Sequence, residues 1–280
     1  MTRKLICVVS DLHAGSTLGL CGPEPLEMDD GQGYIPTRLQ RWLWQNWTDF
    51  WGIVESRIQR GAEFHSLIVN GDAVDGDHHN TRQIISRDVG VHIRVAVHAL
   101  ETPLALKPSH VFVVRGTESH VGHSASAEEA IARILRAEGH PVERDRDTDT
   151  GSWWHLRLDV NGLLIDVAHH GRTGHREHTR QNAANLYAHD ILLAHVKSGD
   201  RVPGLCIRSH NHKWLDSGDA AKVLRLIGLP AWQLPTGYVH KVAPDSIADI
   251  GGLIIEVEKD GTYEVEKISF KPNRGSVWTA

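Results

Sequence analysis

The 280-residue sequence contains no apolar run near the roughly 18 residues that a membrane-spanning helix needs. A signal-peptide pattern is also absent, because Met1 to Lys4 lead directly into a short strand-like run. We therefore expect a cytoplasmic protein that does not bind membranes. No segment is rich enough in proline, glycine or serine to be a linker, and no internal repeat is present, so we expect one domain over residues 1–280.

Cysteine is scarce, with three residues at Cys7, Cys21 and Cys206 and no CxxC pair. Their odd number and wide spacing argue against a disulfide framework and against a cysteine-based zinc site. The formal net charge of -5 gives no support for a broad basic surface that binds nucleic acid. Histidine is the residue in excess, with 20 copies, and several stand at the ends of apolar runs.

Short apolar runs alternate with helix-like stretches, a pattern typical of α/β proteins. The runs that lead directly into polar residues are predicted strands at Lys4–Ser10, Ser66–Asn70, His110–Val114, Leu163–Ala168 and Leu205–Ser209. A β-hairpin is predicted for Gly252–Val257 and Thr262–Ile268. Because sites in open α/β sheets assemble at the carboxyl ends of the strands, we expect the polar residues beyond these runs to form one site.

Two helices are predicted from the spacing of apolar residues, at Thr37–Gly61 and at Ala125–Ala137. The first belongs to a Trp-rich helical insertion at about residues 14–61. Tryptophans at helical spacing indicate core packing, and a platform for substrate is the alternative. The same two interpretations apply to Trp232, which follows the last histidine motif.

Residue types that bind metals follow the predicted strands. They are Asp11, His13, Asp72, Asp75, His169, His170, His210 and His212. Carboxylate oxygens beside imidazole nitrogens form a donor set that suits transition metals, and one carboxylate can bridge two ions. Only one of the adjacent residues His169 and His170 is expected to be a primary ligand, because neighbouring side chains point in different directions.

In this order the motifs resemble those of calcineurin-like metallophosphoesterases, which run DxH, GDxxD, GNHD or GNHE, a His before Gly, and GHxH. The matching segments are Asp11-Leu-His13, Gly71-Asp-Ala-Val-Asp75, a diverged third motif, His170-Gly171 and Ser209-His-Asn-His212. The diverged motif resembles a phage and prophage branch of the family. The resemblance covers residues 5 to about 213 and implies two packed mixed β-sheets flanked by helices in four layers.

The resemblance also implies a role for each matching residue. Its metal ligands are Asp11, His13 and His212 for one ion, His170 and His210 for the other, and Asp72 as the bridge. Asp75 would support catalysis by orienting a ligand histidine.

The third motif departs from the family pattern, because Gly116-Thr117-Glu118 stands where the family has Gly-Asn-His. In the family the Asn binds the second ion and the His is the catalytic acid. A threonine hydroxyl is a weaker ligand than a carboxylate, so we expect Glu118 to bind the metal and His120 to be the acid. In the alternative, Glu118 pairs with Arg115 and is structural.

These assignments predict a dinuclear metal-dependent hydrolase in which a hydroxide that bridges the ions attacks phosphorus. A centre that includes Glu118 is less positive than one with asparagine, which favours monoanionic phosphodiesters over dianionic monoesters. We therefore expect a phosphodiesterase acting on a nucleotide or, as a nuclease, on nucleic acid. The alternatives are a phosphomonoesterase for a small molecule and a metal-binding interaction module without catalysis.

Contacts with substrate and the identity of the metal depend on fewer residues. Arg115, Arg172 and Arg180 lie near the motifs and are candidates to contact the phosphate. Nucleic acid as a partner has no support from the charge. Mixed nitrogen and oxygen ligands suit manganese, iron, zinc and nickel, and of these we expect two manganese ions. The oligomeric state is left open.

Overall fold

The computed structural model describes residues 3–28, 30–78, 81–172, 179–218, 223–243 and 247–272. Within these ranges the strands are β1 (Lys4–Val9), β2 (Leu26–Glu27), β3 (Gly33–Tyr34), β4 (Glu63–Asn70), β5 (His110–Val114), β6 (Ser152–Trp153), β7 (Leu156–Val160), β8 (Leu163–Val167), β9 (Leu205–Arg208), β10 (Leu215–Asp216), β11 (Arg225–Gly228), β12 (Ile250–Val257) and β13 (Tyr263–Phe270). The helices are α1 (Arg38–Gln59), α2 (Val89–Leu104), α3 (Glu118–Val121), α4 (Ser126–Ala137), α5 (Arg180–Ser198) and α6 (Gly237–Val242).

Two large mixed sheets organise the fold. The first has the strand order β13-β12-β1-β4-β5-β6, in which β1, β4, β5 and β6 run parallel, β12 runs antiparallel to β1, and β13 runs antiparallel to β12. The second has the order β10-β11-β9-β8-β7, with β8, β9 and β11 parallel. Val9 lies opposite Val69 and Asn70 lies opposite Val114, so β1, β4 and β5 end side by side.

The apolar cores show that the sheets and helices form four layers. One core lies between the two sheets, where Ile68 and Val114 of the first sheet share a cluster with Ile165 and Ile207 of the second. Successive residues of a strand face opposite sides of its sheet, so every second residue of these buried strands faces this core.

The outer faces of both sheets are covered by helices. Residues such as Leu67 on the first sheet pack with Leu100 of α2 and Ile131 of α4. On the second sheet, Cys206 packs with Ala188 of α5. The arrangement confirms the predicted architecture of two packed mixed sheets flanked by helices.

The Trp-rich helix α1 forms as the apolar spacing predicts. Thr37 caps its first turn and exchanges hydrogen bonds with Gln40 in a capping box. Trp47 is fully buried and donates from Nε1 to the Ala99 carbonyl at 3.1 Å. Its ring meets that of the fully buried Trp232 edge to face, with centroids 4.8 Å apart. Trp47 and Trp232 therefore pack the core and are not a platform for substrate.

Helices α2 and α5 have no counterpart among the predicted elements. Leu186, Leu193 and Val196 of α5 are exposed while Ala184 and Ala188 are buried, so apolar residues occur around the helix and obscure its periodicity. In the part of the chain that the structure describes, no helix is both long and apolar enough to cross a membrane.

Candidate metal centre

The predicted metal-binding residues follow the strands of both sheets at one end of the molecule. Asp11 follows β1 and Asp72 follows β4, and backbone hydrogen bonds join the two loops. The N–H of Asp11 donates to the Gly71 carbonyl, and that of His13 donates to the Asp72 carbonyl, each at 3.0 Å. The loops after β8 and β9 are joined by the N–H of Ser209, which donates to the His169 carbonyl at 2.7 Å. Each pair of loops is thus held by main-chain contacts.

The first group of donors consists of Asp11, His13 and His212. Nε2 of His13 lies 3.1 Å from Nε2 of His212, and the latter lies 3.2 Å from Oδ1 of Asp11. The distance from His13 Nε2 to Asp11 Oδ1 is 3.9 Å. Three ligand atoms from the first and last motifs therefore converge at distances that one ion could span.

A second group joins Asp11 and Asp72 to His169. Nε2 of His169 lies 3.0 Å from Oδ2 of Asp72 and 3.9 Å from Oδ1 of Asp11. The other ring nitrogen, Nδ1, donates to the Asn70 carbonyl at 2.7 Å. Because Nδ1–H is used in that bond, Nε2 is the ring nitrogen that faces the two carboxylates, and it is the atom that would bind a metal ion.

The surroundings of His169 favour a cation. Burial alone would lower the pKa of this imidazole, but the charges of Asp11 and Asp72 raise its pKa to about 10. The same imidazolium counters the effect of burial on Asp72 and holds the pKa of that carboxyl well below its ordinary value. A bound metal ion would replace the proton on Nε2.

A third group brings both adjacent histidines together with His210. Thr117 lies in its midst, since its Oγ1 is 3.1 Å from Asp72 Oδ2, 3.2 Å from His170 Nε2 and 3.0 Å from His210 Nδ1. The backbone N–H of Thr117 also donates to Asp72 Oδ1 at 2.6 Å. The threonine therefore stands among the donors at the position where the family pattern has asparagine.

The backbone at the donor residues is unusual. Positive φ angles occur at Asp11, His13, Asp72, His210 and His212. They are half of the ten non-glycine residues with positive φ in the described ranges. Such conformations cost about 1 to 3 kcal/mol each and gather at functional sites. The fold therefore holds these five side chains in strained positions that bring their ligand atoms together.

Asp75 supports the first group from behind. Nδ1–H of His13 donates to its Oδ1 at 2.9 Å, and the Gln233 amide donates to the same oxygen at 3.1 Å. A carboxylate in this position can fix the orientation and the tautomer of the histidine ring.

His120 lies beside this pair, with its ring centroid 4.7 Å from that of His13. Its Nδ1–H donates to the Asp75 carbonyl at 2.8 Å, which leaves Nε2 to exchange a proton with a substrate. Burial and the neighbouring His13 lower the pKa of His120 to about 4. At neutral pH the ring of His120 is therefore neutral and can accept a hydrogen bond at Nε2.

Glu118 is not brought into the donor groups found among the described residues. It is the first residue of α3 and its side chain is exposed. We expected Glu118 to lie among the donors in place of Thr117, but the structure has Thr117 there and Glu118 outside. The reason is that the chain turns into helix α3 immediately after Thr117. The alternative pairing with Arg115 is likewise not seen, since Arg115 donates from Nε to Ser152 and lies 4.9 Å from the Trp154 ring.

The other two candidate arginines also have partners outside the donor groups. Arg172 forms an ion pair with Asp190 at 3.0 Å on the exposed surface of α5. Arg180 Nη1 lies 3.9 Å from Oδ2 of Asp249. The structure thus gives none of the three predicted phosphate contacts a position directly among the metal donors.

Two residues that are not among the ligands expected from the sequence, His169 and Thr117, lie among the donor atoms in the structure. Both had a signal. His169 has the same strand parity as Ile165 and Val167, which face the first sheet. Thr117 stands in direct register with the ligand Asn of the family pattern.

The donor set passes one test for a metal ion. Oδ1 of Asp11 and Nε2 of His169 are buried, and neither has a hydrogen-bond partner of suitable direction, although charged atoms lie close by. Buried polar atoms without partners are rare in proteins unless a water or an ion satisfies them. The mixture of carboxylate and imidazole donors suits manganese, iron, zinc or nickel.

Comparison with known proteins gives only a distant likeness of fold. No protein-family model matches the sequence, and no curated protein matches it. Vacuolar protein sorting 29 from Cryptosporidium parvum has a TM-score of 0.40 at 9% identity, with 97% of this chain and 100% of that chain covered.

Two further solved structures are similar at the same level. For a predicted phosphoesterase from Streptococcus pneumoniae the TM-score is 0.36 at 11% identity, covering 96% and 99% of the two chains. For the Thermus thermophilus sulfate thiohydrolase SoxB it is 0.41 at 12% identity, covering 96% of this chain and 57% of the other. At these TM-scores the similarities carry no inference about function, and the assignment to a phage branch receives no support from them.

Proposed function

We propose that this protein is a metal-dependent hydrolase of phosphate esters with a dinuclear centre. The observation that carries the proposal is the pair of buried ligand atoms, Asp11 Oδ1 and His169 Nε2, which lie 3.9 Å apart, with Oδ2 of Asp72 3.0 Å from the same His169 nitrogen. Donor groups flank this pair on both sides. Asp11 belongs to two of these groups, so it and Asp72 are suited to lie between two ions.

The ligands of the proposed centre divide into two sets. The first ion would be held by Asp11, His13 and His212, and the second by Asp72, His169, His170, His210 and Thr117. When bound, two divalent ions would supply an activated water and neutralise charge on the phosphoryl group. Manganese is the proposed metal, on the chemistry of the donors alone.

The residues of the chain itself have separate tasks in this proposal. Asp75 holds the His13 ring with Nε2 toward the first set of ligands. His120 is anchored by Nδ1 and is neutral at neutral pH, so its Nε2 would accept a proton from the attacking water and would not act as the acid expected from the sequence. The raised pKa of His169 requires that this ring lose its proton when the second ion binds.

The class of phosphate ester depends on the charge of the centre. With Glu118 outside, only the carboxylates of Asp11 and Asp72 would face the two ions, so the centre would have one more positive charge than the sequence predicts. The electrostatic reason for preferring diesters therefore no longer applies, and dianionic monoesters should bind at least as well. We propose phosphate esters as the substrate class and treat hydrolysis of diesters, including nucleotides and nucleic acid, as the first activity to test.

The experiment combines metal titration with a panel of esters. Protein freed of metal with EDTA is titrated with Mn²⁺, and hydrolysis of bis(4-nitrophenyl) phosphate, 4-nitrophenyl phosphate and single- and double-stranded DNA is measured. Asp72→Asn should lose turnover and bind less metal. Asp159→Asn makes the same change of charge at an exposed carboxylate paired with Arg201, and should behave as the wild type.

The outcomes separate the proposal from its alternatives. Turnover that needs Mn²⁺ and Asp72 supports a hydrolase, and the relative kcat/KM values for the two aryl esters decide between diesterase and monoesterase. Stoichiometric binding of two ions without turnover of any ester would instead support an interaction module. A protein that binds no divalent ion would contradict the proposal altogether.

A further inference from the structure

A carboxylate is buried behind the metal centre where an apolar side chain would be expected. Glu128 stands in the first turn of α4 and is fully buried, together with Ala127, Ile131 and Leu135 of the same helix face. Burial of a carboxylate is unfavourable unless it accepts hydrogen bonds. Its position on the apolar stripe of α4 therefore calls for an explanation.

The two oxygens of Glu128 accept hydrogen bonds from two different loops. Oε1 accepts from the N–H of Ala73 at 3.3 Å, and Oε2 accepts from the N–H of Gly116 at 2.6 Å. Ala73 directly follows Asp72, and Gly116 directly precedes Thr117. One side chain thus joins the backbones of the loops that carry two proposed ligands of the second ion.

These loops approach each other so closely that little room remains between them. Thr117 N–H donates to Asp72 Oδ1 at 2.6 Å. A β-carbon added to Gly116 would lie 2.2 Å from the same Asp72 oxygen. A small change in the separation of the two loops would therefore move the Asp72 and Thr117 oxygens relative to each other.

We propose that Glu128 is a positioning residue for the second metal ion. Its carboxylate sets the distance between Asp72 and Thr117 from behind, without touching the metal. The inference rests on the proposed metal centre but not on any hydrolytic activity.

The energetics of Glu128 separate this role from a purely structural one. Burial and the negative charge of Asp72 raise the pKa of Glu128 to about 8. An apolar side chain of similar size would avoid the cost of burying a carboxylate, but it would leave the N–H groups of Ala73 and Gly116 without acceptors. A side chain that only filled the core would not need two acceptor oxygens, whereas a clamp between two N–H groups does.

The test compares Glu128→Gln with Glu129→Gln in full-length protein. The measurements are made above pH 8, where Glu128 is ionised. Under these conditions glutamine offers only one acceptor oxygen and places an N–H₂ group against the other N–H donor, so it breaks one arm of the clamp. Glu129 is the matched control, because it stands on the same helix and accepts from the N–H of Gly151 at 3.0 Å and of Ser152 at 3.1 Å. Neither of those residues belongs to a donor group.

Two measurements that do not depend on turnover follow the binding of Mn²⁺ when it is added to the metal-free proteins. Calorimetric titration gives the affinity of each ion, and electron paramagnetic resonance detects the magnetic coupling of two neighbouring Mn²⁺ ions. In Glu128→Gln we expect the second ion to bind about 10- to 100-fold more weakly, the range seen when groups behind metal ligands are altered. The signal of the coupled pair should weaken, while the midpoint of urea unfolding without metal stays unchanged or rises.

Glu128→Met provides a second variant that keeps the volume of the side chain and removes both acceptors. Because it leaves the N–H groups of Ala73 and Gly116 without acceptors, it should be less stable than the wild type, and it should lose affinity for the second ion more than Glu128→Gln does. Wild-type affinity and coupling in both variants would overturn the inference. So would a loss of stability without metal that is accompanied by equal weakening at both ions, because it would show a purely structural role. Failure of every ester to be hydrolysed would contradict the proposed function and leave these metal measurements fully interpretable.

Discussion

Replacement of Thr117 by valine is the sharpest test of the metal centre. Valine has the shape of threonine but lacks the hydroxyl, whose oxygen lies 3.0 to 3.2 Å from His210, Asp72 and His170. The backbone N–H of Thr117, which donates to Asp72 Oδ1 at 2.6 Å, is not altered by the substitution. The substitution therefore removes one oxygen and leaves the rest of the loop in place.

The magnitude follows from what that oxygen contacts. A hydrogen bond from a hydroxyl to a carboxylate is worth about 1.5 to 3 kcal/mol. If the same oxygen is a ligand of the second ion, its loss should weaken binding of that ion by about 10- to 100-fold, which corresponds to roughly 1.4 to 2.7 kcal/mol. The first ion, held by Asp11, His13 and His212, should bind as before.

The assay is calorimetric titration of metal-free protein with Mn²⁺, with hydrolysis of an aryl phosphate diester as a second readout. Thr117→Ser retains the hydroxyl and should stay close to the wild type in both. Glu118→Gln is the decisive companion, because Glu118 is the ligand expected from the sequence and its side chain is exposed in the structure. Normal metal affinity in Thr117→Val together with a loss in Glu118→Gln would refute our assignment.

Two further substitutions test the surroundings of the centre. Gly71 has φ +80°, and a β-carbon there would lie 2.2 Å from His169 Nδ1, so Gly71→Ala should lower the free energy of unfolding in urea by more than about 1 kcal/mol. It should also weaken the binding of the second ion. Gly162→Ala, at φ +91° with open space around the β-carbon, should show only the loss of stability that comes from the positive φ. For Glu128, the pKa is raised from 4.5 to about 8, so folded protein without metal binds more protons than unfolded protein between these values. Its unfolding free energy should therefore fall by a few kcal/mol as pH rises from about 4.5 to about 8, and an equal fall in Glu128→Gln would contradict the raised pKa.

The fold was largely predictable because its signals are local. Apolar runs that end in polar residues predict β1, β4, β5, β8 and β9, and the actual strands differ from the predicted runs by a few residues at their ends. Helix α1 was predictable from its apolar spacing and its capping residue Thr37. Helix α5 was not, because its apolar residues are spread around the helix and only its contact with the second sheet decides which of them are buried.

The site was predictable as a set of motifs but not side chain by side chain. The sequence by itself determined that Asp11, His13, Asp72 and His212 follow strands, and parallel strands that lie side by side bring their carboxyl ends together. Whether Thr117 or Glu118 faces the metals depends on where α3 begins. Successive residues of a helix point about 100° apart, so the turn into α3 directs Glu118 outward and leaves Thr117 among the donors.

Tertiary structure also decided where the side chains of His169 and Glu128 lie. His169 faces Asp11 and Asp72 because β8 belongs to the second sheet and packs its Val167 side against the first, a relation between sheets that no local pattern contains. Glu128 looks in the sequence like an acidic residue at the start of a helix. Only the approach of α4 to the loops after β4 and β5 buries it and gives its two oxygens the N–H groups of Ala73 and Gly116, because those residues lie far from it in the chain.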